Sequence, residues 1–142
     1  MFTPGKWLGE GKIRLNMVTE ELPFFTRWTI SAIEDGEIEC IQEIQVKGLS
    51  EVMMNHFFIS KILPNSFSVF MENHAIGKVN GTGIINESLI GWEFRVNELG
   101  FEGFEYYQKQ SEDEYLMRGE FATIDQLRTE IRGKIWKQSH RA

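Results

Sequence analysis

The sequence predicts an all-β protein, a closed antiparallel up-and-down barrel of about eight to ten strands. Through most of the chain, hydrophobic side chains alternate with polar ones at a period of two. The apolar segments are short and are separated by turn residues, which is typical of sequential hairpins. A meander of this length has two unpaired edges unless it closes, and closure into a barrel removes both.

Length and composition indicate a single domain spanning residues 1–142, with 42% hydrophobic and 13% aromatic residues to form a core. The net charge of −6 disfavours nucleic-acid binding, because an acidic domain is repelled by phosphate. Basic residues do cluster near the C-terminus, but Asp125 and Glu130 are interleaved with them, which is typical of a solvated strand face. The cluster comprises Arg128, Arg132, Lys134, Lys137 and Arg141.

Cys40 is the only cysteine, which excludes an intrachain disulfide and a cysteine-based structural zinc site. Residues 1–12 lack the charged start and apolar run of a secretory signal. No stretch approaches the ~18 apolar residues of a membrane span. A cytoplasmic location is therefore the expectation.

The first three strands show the alternation most clearly. Apolar residues and glycines occupy the odd positions of residues 6–18 and most of the even positions of residues 24–34 and 37–47. Asp35-Gly36 between the second and third strands predicts a tight hairpin turn. One face of each strand is thus expected to be buried.

The middle strands are predicted at residues 55–63, 66–74 and 77–85. Pro64-Asn65, a favoured turn pair, joins the first two. In residues 55–63 two apolar faces compete, one with His56 and Phe58 and the other with Phe57 and Ile59. Residues 77–85 are rich in glycine, which favours barrel curvature and is expected to leave space in the interior. No helix follows that could receive a phosphate.

The last four strands are predicted at residues 89–97, 101–110, 114–122 and 126–137. The final segment also has a helical spacing of apolar residues. A strand explains more of it, because Thr129 and Gly133 suit a helix poorly. We therefore expect Thr129, Ile131 and Ile135 to point inward.

The opening Gly5-Lys6-Trp7 resembles the G-x-W start of the lipocalins. Together with Gly9-Glu10-Gly11 it is similar to the G-x-W-x-G-x-G opening of nitrobindin-like and fatty-acid-binding-like barrels. The resemblance implies a calycin-like barrel in which Trp7 closes the bottom. It also implies that a late arginine, Arg128 or Arg132, stacks on that indole, a contact worth ~0.5–2 kcal/mol.

The chain departs from each of these families at the residues that define a ligand. Ile13-Arg14-Leu15 stands where nitrobindin-type haem barrels have Tyr-Pro, and the only late histidine, His140, lies in a polar tail. Residues 19–23 are too short for the two helices of fatty-acid-binding proteins. The resemblance therefore implies a fold and leaves the cofactor unassigned.

No catalytic motif is present: the sequence has no G-x-S-x-G, H-E-x-x-H, P-loop or Rossmann fingerprint. His56 and His74 are interpreted as ordinary polar positions, with no metal site expected, and Cys40 as an inert inward thiol. The pairs Glu105/Tyr107 and Tyr115/Arg118 offer acid–base groups of a kind that any barrel contains.

The leading function is non-enzymatic binding of a small, partly apolar ligand inside the barrel. Two alternatives stay open: a filled barrel with a structural or interaction role, and a small lyase- or chaperone-type enzyme that uses the cavity. A cavity below ~100 Å³ would exclude the binder and the enzyme. Ligand identity and oligomeric state are left open. The predicted ligand-binding residues are Trp28, His56, Phe58, Phe70, Trp92, Phe94 and Tyr115.

Overall fold

The computed structural model describes residues 3–16, 20–74, 76–95, 100–123 and 128–138. Ten strands and no helix occur in these ranges. The strands are β1 (Gly5–Leu15), β2 (Glu21–Ile30), β3 (Ile38–Val46), β4 (Val52–Ser60), β5 (Ser66–Asn73), β6 (Gly77–Ile85), β7 (Leu89–Phe94), β8 (Glu102–Ser111), β9 (Glu114–Ala122) and β10 (Arg128–Lys137).

Each strand pairs antiparallel with the next, and β1 pairs with β10 to close the barrel. This confirms the predicted fold class. The turn between β2 and β3 is the expected hairpin, with φ of 53° at Asp35 and 75° at Gly36. Two successive positive φ values match the right-handed twist of the flanking strands.

The final segment is a strand, as predicted, with Ile131 opposite Ile13 in the closing pair. Ile131 and Ile135 are buried, and Arg132 is exposed. The first two residues of the predicted strand, 126 and 127, lie outside the described part of the chain.

The barrel interior has an aromatic layer at mid-height, formed by Trp28, Phe57, Trp92 and Tyr107. Their ring centroids lie between 5.2 and 5.9 Å apart in the contacting pairs. All of these pairs are tilted or edge-to-face, and none is a face-to-face sandwich, the arrangement that aromatic quadrupoles disfavour. The layer separates a packed end, which contains Trp7, from the end where β1 finishes and β2 begins.

The glycines of β6 do not leave space in the interior, so that expectation was wrong. Gly83 lies opposite Phe67, whose ring covers the glycine, and Gly81 is covered by the ring of Phe94. An aromatic ring fits flat on a strand where no Cβ projects. The glycines therefore accommodate side chains of β5 and β7.

Gly83→Ala is expected to destabilise the protein by ~1–3 kcal/mol, the usual cost of overpacking a core. A Cβ at this position would lie 2.1 Å from two ring carbons of Phe67, so the ring has to move. Urea unfolding measures the effect. Thr82→Ala, on the adjacent exposed position, is the control, and an equal loss in both variants would contradict the prediction.

Candidate functional site

A cavity of about 350 Å³ occupies the barrel interior above the aromatic layer. Phe57 lines its floor and contacts both tryptophans of that layer. Met53 also lines it and is 41% exposed, which places a route to the surface at the start of β4. Five phenylalanines contribute to the wall, four on strands and one directly before β8: Phe24, Phe57, Phe94, Phe121 and Phe101.

The volume argues against the filled-barrel alternative and leaves the binder and the enzyme open. It exceeds the ~100 Å³ below which no drug-like ligand fits, and lies at the lower end of the ~300–1,000 Å³ of ligand sites. At ~30 Å³ per liquid water it holds about a dozen water molecules, or one small organic molecule. The barrel is therefore not filled.

One side of the cavity carries an amide ladder, defined here as Gln42, Asn55 and Asn73. These residues are cross-strand neighbours on β3, β4 and β5. Asn73 Nδ2 donates to Asn55 Oδ1 at 2.5 Å, and Asn55 Nδ2 donates to Gln42 Oε1 at 3.0 Å. Gln42 Nε2 is buried with no hydrogen-bond partner among the described residues. Asn55 and Asn73 reach the cavity surface.

Glu105 enters the cavity from β8, four strands from the middle of the amide ladder. Its side chain is 3% exposed, and the Tyr107 hydroxyl donates to Glu105 Oε2 at 2.5 Å. Burial raises the pKa of Glu105 to about 7, against the lowering effect of the Tyr107 hydrogen bond. Burial, together with Glu105, raises the pKa of Tyr107 well above its ordinary value. Glu105 therefore changes charge near neutral pH, whereas Tyr107 stays protonated.

Two solved structures share this architecture. Rv2717c from M. tuberculosis superposes with a TM-score of 0.74 at 10% identity, over 96% of this chain and 92% of that chain. The S-type phycobiliprotein lyase CpeS from Guillardia theta superposes with a TM-score of 0.71 at 8% identity, over 98% of this chain and 90% of that chain. The barrel is of the calycin-like type. At these identities the likeness shows the fold alone.

No family model and no curated sequence matches this chain. The Gly5-Lys6-Trp7 opening therefore remains a resemblance. The fold is calycin-like, but no particular family is supported.

The calycin-like barrel brings four of the predicted ligand-binding residues into its interior. Phe94 lines the cavity. Trp28 and Trp92 lie in the aromatic layer, where Phe57 contacts both of them. Tyr115 is buried at the packed end, against Trp7. Their role in binding stays a prediction.

The other three, His56, Phe58 and Phe70, lie on the outer face, so their predicted place in an interior pocket is wrong. Phe57 and Ile59 take the inward positions of β4 and are 3% and 1% exposed. This arrangement buries the larger apolar area and keeps an imidazole out of the core.

Outside the barrel, His56 and Phe58 form a surface cluster. Their rings stack at 4.4 Å, and Phe58 lies 6.0 Å from the ring of Phe70 on β5. His56 Nε2 is 2.6 Å from Glu39 Oε1. The histidine thus has a partner that requires no metal.

The predicted stacking of a late arginine on Trp7 is also wrong. Trp7 is 1% exposed and lies at the packed end of the barrel. Arg128 and Arg132 occupy the outward positions of β10, where they pair with Glu120 at 3.1 Å and Glu21 at 2.9 Å. Because side chains alternate along a strand, neither guanidinium can reach the interior.

The remaining candidate reactive groups, Cys40, Tyr115 and Arg118, do not line the cavity. Cys40 is buried, and burial, with the charge of Glu39, raises its pKa to about 12, so the thiol stays protonated. Tyr115 faces inward and Arg118 outward, so they form no acid–base pair.

Among the described residues, no cluster of three or more His, Cys, Asp or Glu side chains is placed to hold a metal ion. The described part of the chain contains no helix long and apolar enough to cross a membrane.

Sequence reasoning missed the amide ladder, and it left open whether Phe57 or Phe58 faces inward. A signal was present, because Gln42 is the one polar residue on the otherwise apolar even face of β3. Asn55 and Asn73 likewise continue the inward faces of Phe57 and Met71. An isolated polar residue on a buried strand face marks either a functional position or a structural hydrogen bond.

Proposed function

We propose that the protein binds one small, partly apolar molecule inside the barrel cavity and does not act on it as an enzyme. The observation that carries this proposal is the 350 Å³ cavity with its phenylalanine-rich wall and a few polar positions, of which Asn55, Asn73 and Glu105 carry amide or carboxyl groups. Burial of apolar ligand surface against such a wall stabilises a complex by ~25 cal/mol per Å². The few polar groups orient the ligand.

The buried polar groups favour a ligand-binding role over a purely structural one. A buried carboxylate does not stabilise the barrel, because burial of a charge without a counter-charge costs several kcal/mol. Glu105 nevertheless lies at the cavity surface. Trp28 and Trp92, which both contact Phe57, are proposed to support the floor of the site.

A second candidate function is catalysis in the same cavity, favoured by one observation. Burial raises the pKa of Glu105 to about 7, so this cavity-lining carboxyl group suits a general acid or base near neutral pH. One structural neighbour is a phycobiliprotein lyase, so a calycin-like barrel of this shape is compatible with a lyase. Tyr107, through its hydrogen bond to Glu105, would position the carboxyl group.

Ile131→Trp is expected to weaken binding of the neutral fluorescent probe N-phenyl-1-naphthylamine by at least about tenfold. Ile131 lines the cavity, and an indole in its place fills part of the volume. Glu130→Trp adds the same side chain on the outer face and is the matched control. Urea unfolding confirms that both variants are folded. Equal affinity of both variants for the probe would contradict the proposal.

The same pair of variants tests for a natural ligand. Native mass spectrometry of the protein purified from its own host is expected to show a bound small molecule in the wild type and in Glu130→Trp, and to lose it in Ile131→Trp. Conversion of that molecule on incubation would favour the catalytic candidate.

A further inference from the structure

Glu105 is the only ionisable side chain among the described residues that line the cavity. No lysine, arginine or histidine among them offers a positive charge. The structure describes one hydrogen bond to its carboxylate, from the Tyr107 hydroxyl, and this donor is neutral. A negative charge on Glu105 is therefore uncompensated within the described cavity wall.

The neighbours of Glu105 on the adjacent strands do not alter this conclusion. In the sheet register, Trp92 on β7 and Gly119 on β9 are its cross-strand partners, and neither residue titrates. Tyr107 is the only other titratable group that contacts it among the described residues. No described residue of the cavity wall therefore supplies a charge that balances Glu105.

The chemistry of the remaining wall points to the same kind of ligand. Phenylalanine faces attract a cation through their quadrupole, an effect that grows when the cation is desolvated. The amide ladder offers both donors and acceptors, so it does not discriminate by charge. A ligand carboxylate would place a second negative charge in a low-dielectric space beside Glu105.

We propose that the molecule bound in the cavity carries a basic nitrogen, as in an amine, whose N–H group donates to Glu105 while the apolar part lies among the phenylalanines. This inference rests on the proposed function and adds the chemical class of the ligand. It separates the protein from barrels that hold the carboxylate of a fatty acid.

Three probes of equal chain length test the inference: octylamine, 1-octanol and octanoate. Each is measured by displacement of N-phenyl-1-naphthylamine at pH 8, where Glu105 is ionised. Octylammonium is expected to bind the wild type about 10–100-fold more tightly than 1-octanol, the range for a hydrogen bond between charged groups. Octanoate is expected to bind more weakly than 1-octanol.

Glu105→Gln keeps the shape of the side chain and removes its charge. The variant is expected to lose the preference and to bind octylammonium more weakly than 1-octanol, because the buried ammonium then has no counter-charge. Glu102→Gln, an exposed position on the same strand, is the control and should keep the wild-type order.

A pH titration supplies an independent measurement. The affinity of the wild type for octylammonium is expected to rise between pH 6 and pH 8, because the carboxylate form of Glu105 becomes populated through its pKa of about 7. Octylamine stays protonated in this range. The rise should be absent in Glu105→Gln and retained in Glu102→Gln.

The outcomes separate this inference from the proposed function. If octanoate binds as tightly as octylammonium, or if the preference for octylammonium survives in Glu105→Gln, the basic-nitrogen inference is wrong and cavity binding stands. Failure of octylammonium to displace a probe that does bind also overturns the inference. Failure of the probe itself to bind the wild type overturns the proposed function.

Discussion

Trp7→Ala is expected to lower the free energy of unfolding by ~3–5 kcal/mol, the range for truncation of a buried large aromatic side chain. Trp7 is 1% exposed, and its ring meets Tyr115 edge-to-face at a centroid distance of 5.4 Å. In the sheet it is the cross-strand partner of Trp28, a member of the aromatic layer. Removal of the indole therefore leaves a void at the packed end, next to the layer that supports the cavity.

Urea unfolding of the variant measures this loss. Trp136→Ala removes the same side chain from a half-buried, outward position of β10 and is expected to cost less than about half as much. A loss below ~1 kcal/mol for Trp7→Ala would show that the indole does not close the barrel.

The second large effect is a change in the pH dependence of stability in Glu105→Gln. The pKa of Glu105 is about 7 in the folded protein, above its ordinary 4.5, so the folded state binds the proton more tightly than the unfolded state does. The folded protein therefore loses stability as pH rises from about 4.5 to about 7. The total loss is roughly 3 kcal/mol, from 1.36 kcal/mol per pKa unit.

Glutamine carries no charge at any of these pH values, so the variant lacks this loss. The difference in unfolding free energy, variant minus wild type, is expected to increase by roughly 3 kcal/mol between pH 4.5 and pH 8. Groups that titrate equally in both proteins cancel in the difference. The exposed Glu102→Gln should give a flat difference, and a flat result for Glu105→Gln would contradict the burial-raised pKa.

These two expectations link stability to function. In the proposed function, a bound ligand of opposite charge offsets the destabilisation that the Glu105 carboxylate causes at neutral pH. Functional sites commonly retain groups that reduce the stability of the free protein. Saturation with octylamine at pH 8 should therefore raise the melting temperature of the wild type more than that of Glu105→Gln.

The sequence by itself determined the number and order of the strands, although β4 runs over Val52–Ser60, three residues earlier than the predicted 55–63. Alternation is a local property, so the bounds of β6 and β9, Gly77–Ile85 and Glu114–Ala122, are those that the pattern predicts. The last strand was also predictable, because the period of two explains Thr129 and Gly133 where the helical period does not. Closure followed from the number of consecutive hairpins.

Tertiary structure alone decided which face of β4 turns inward, because both alternations of residues 56–59 contain apolar side chains. The deciding contacts are remote in sequence: Phe57 packs on Trp28 and Trp92, whereas His56 meets Glu39 outside. The site depends on such contacts as well. Glu105 and Tyr107 share a face by local alternation, but their burial, and hence the raised pKa of Glu105, arises only when ten strands enclose them.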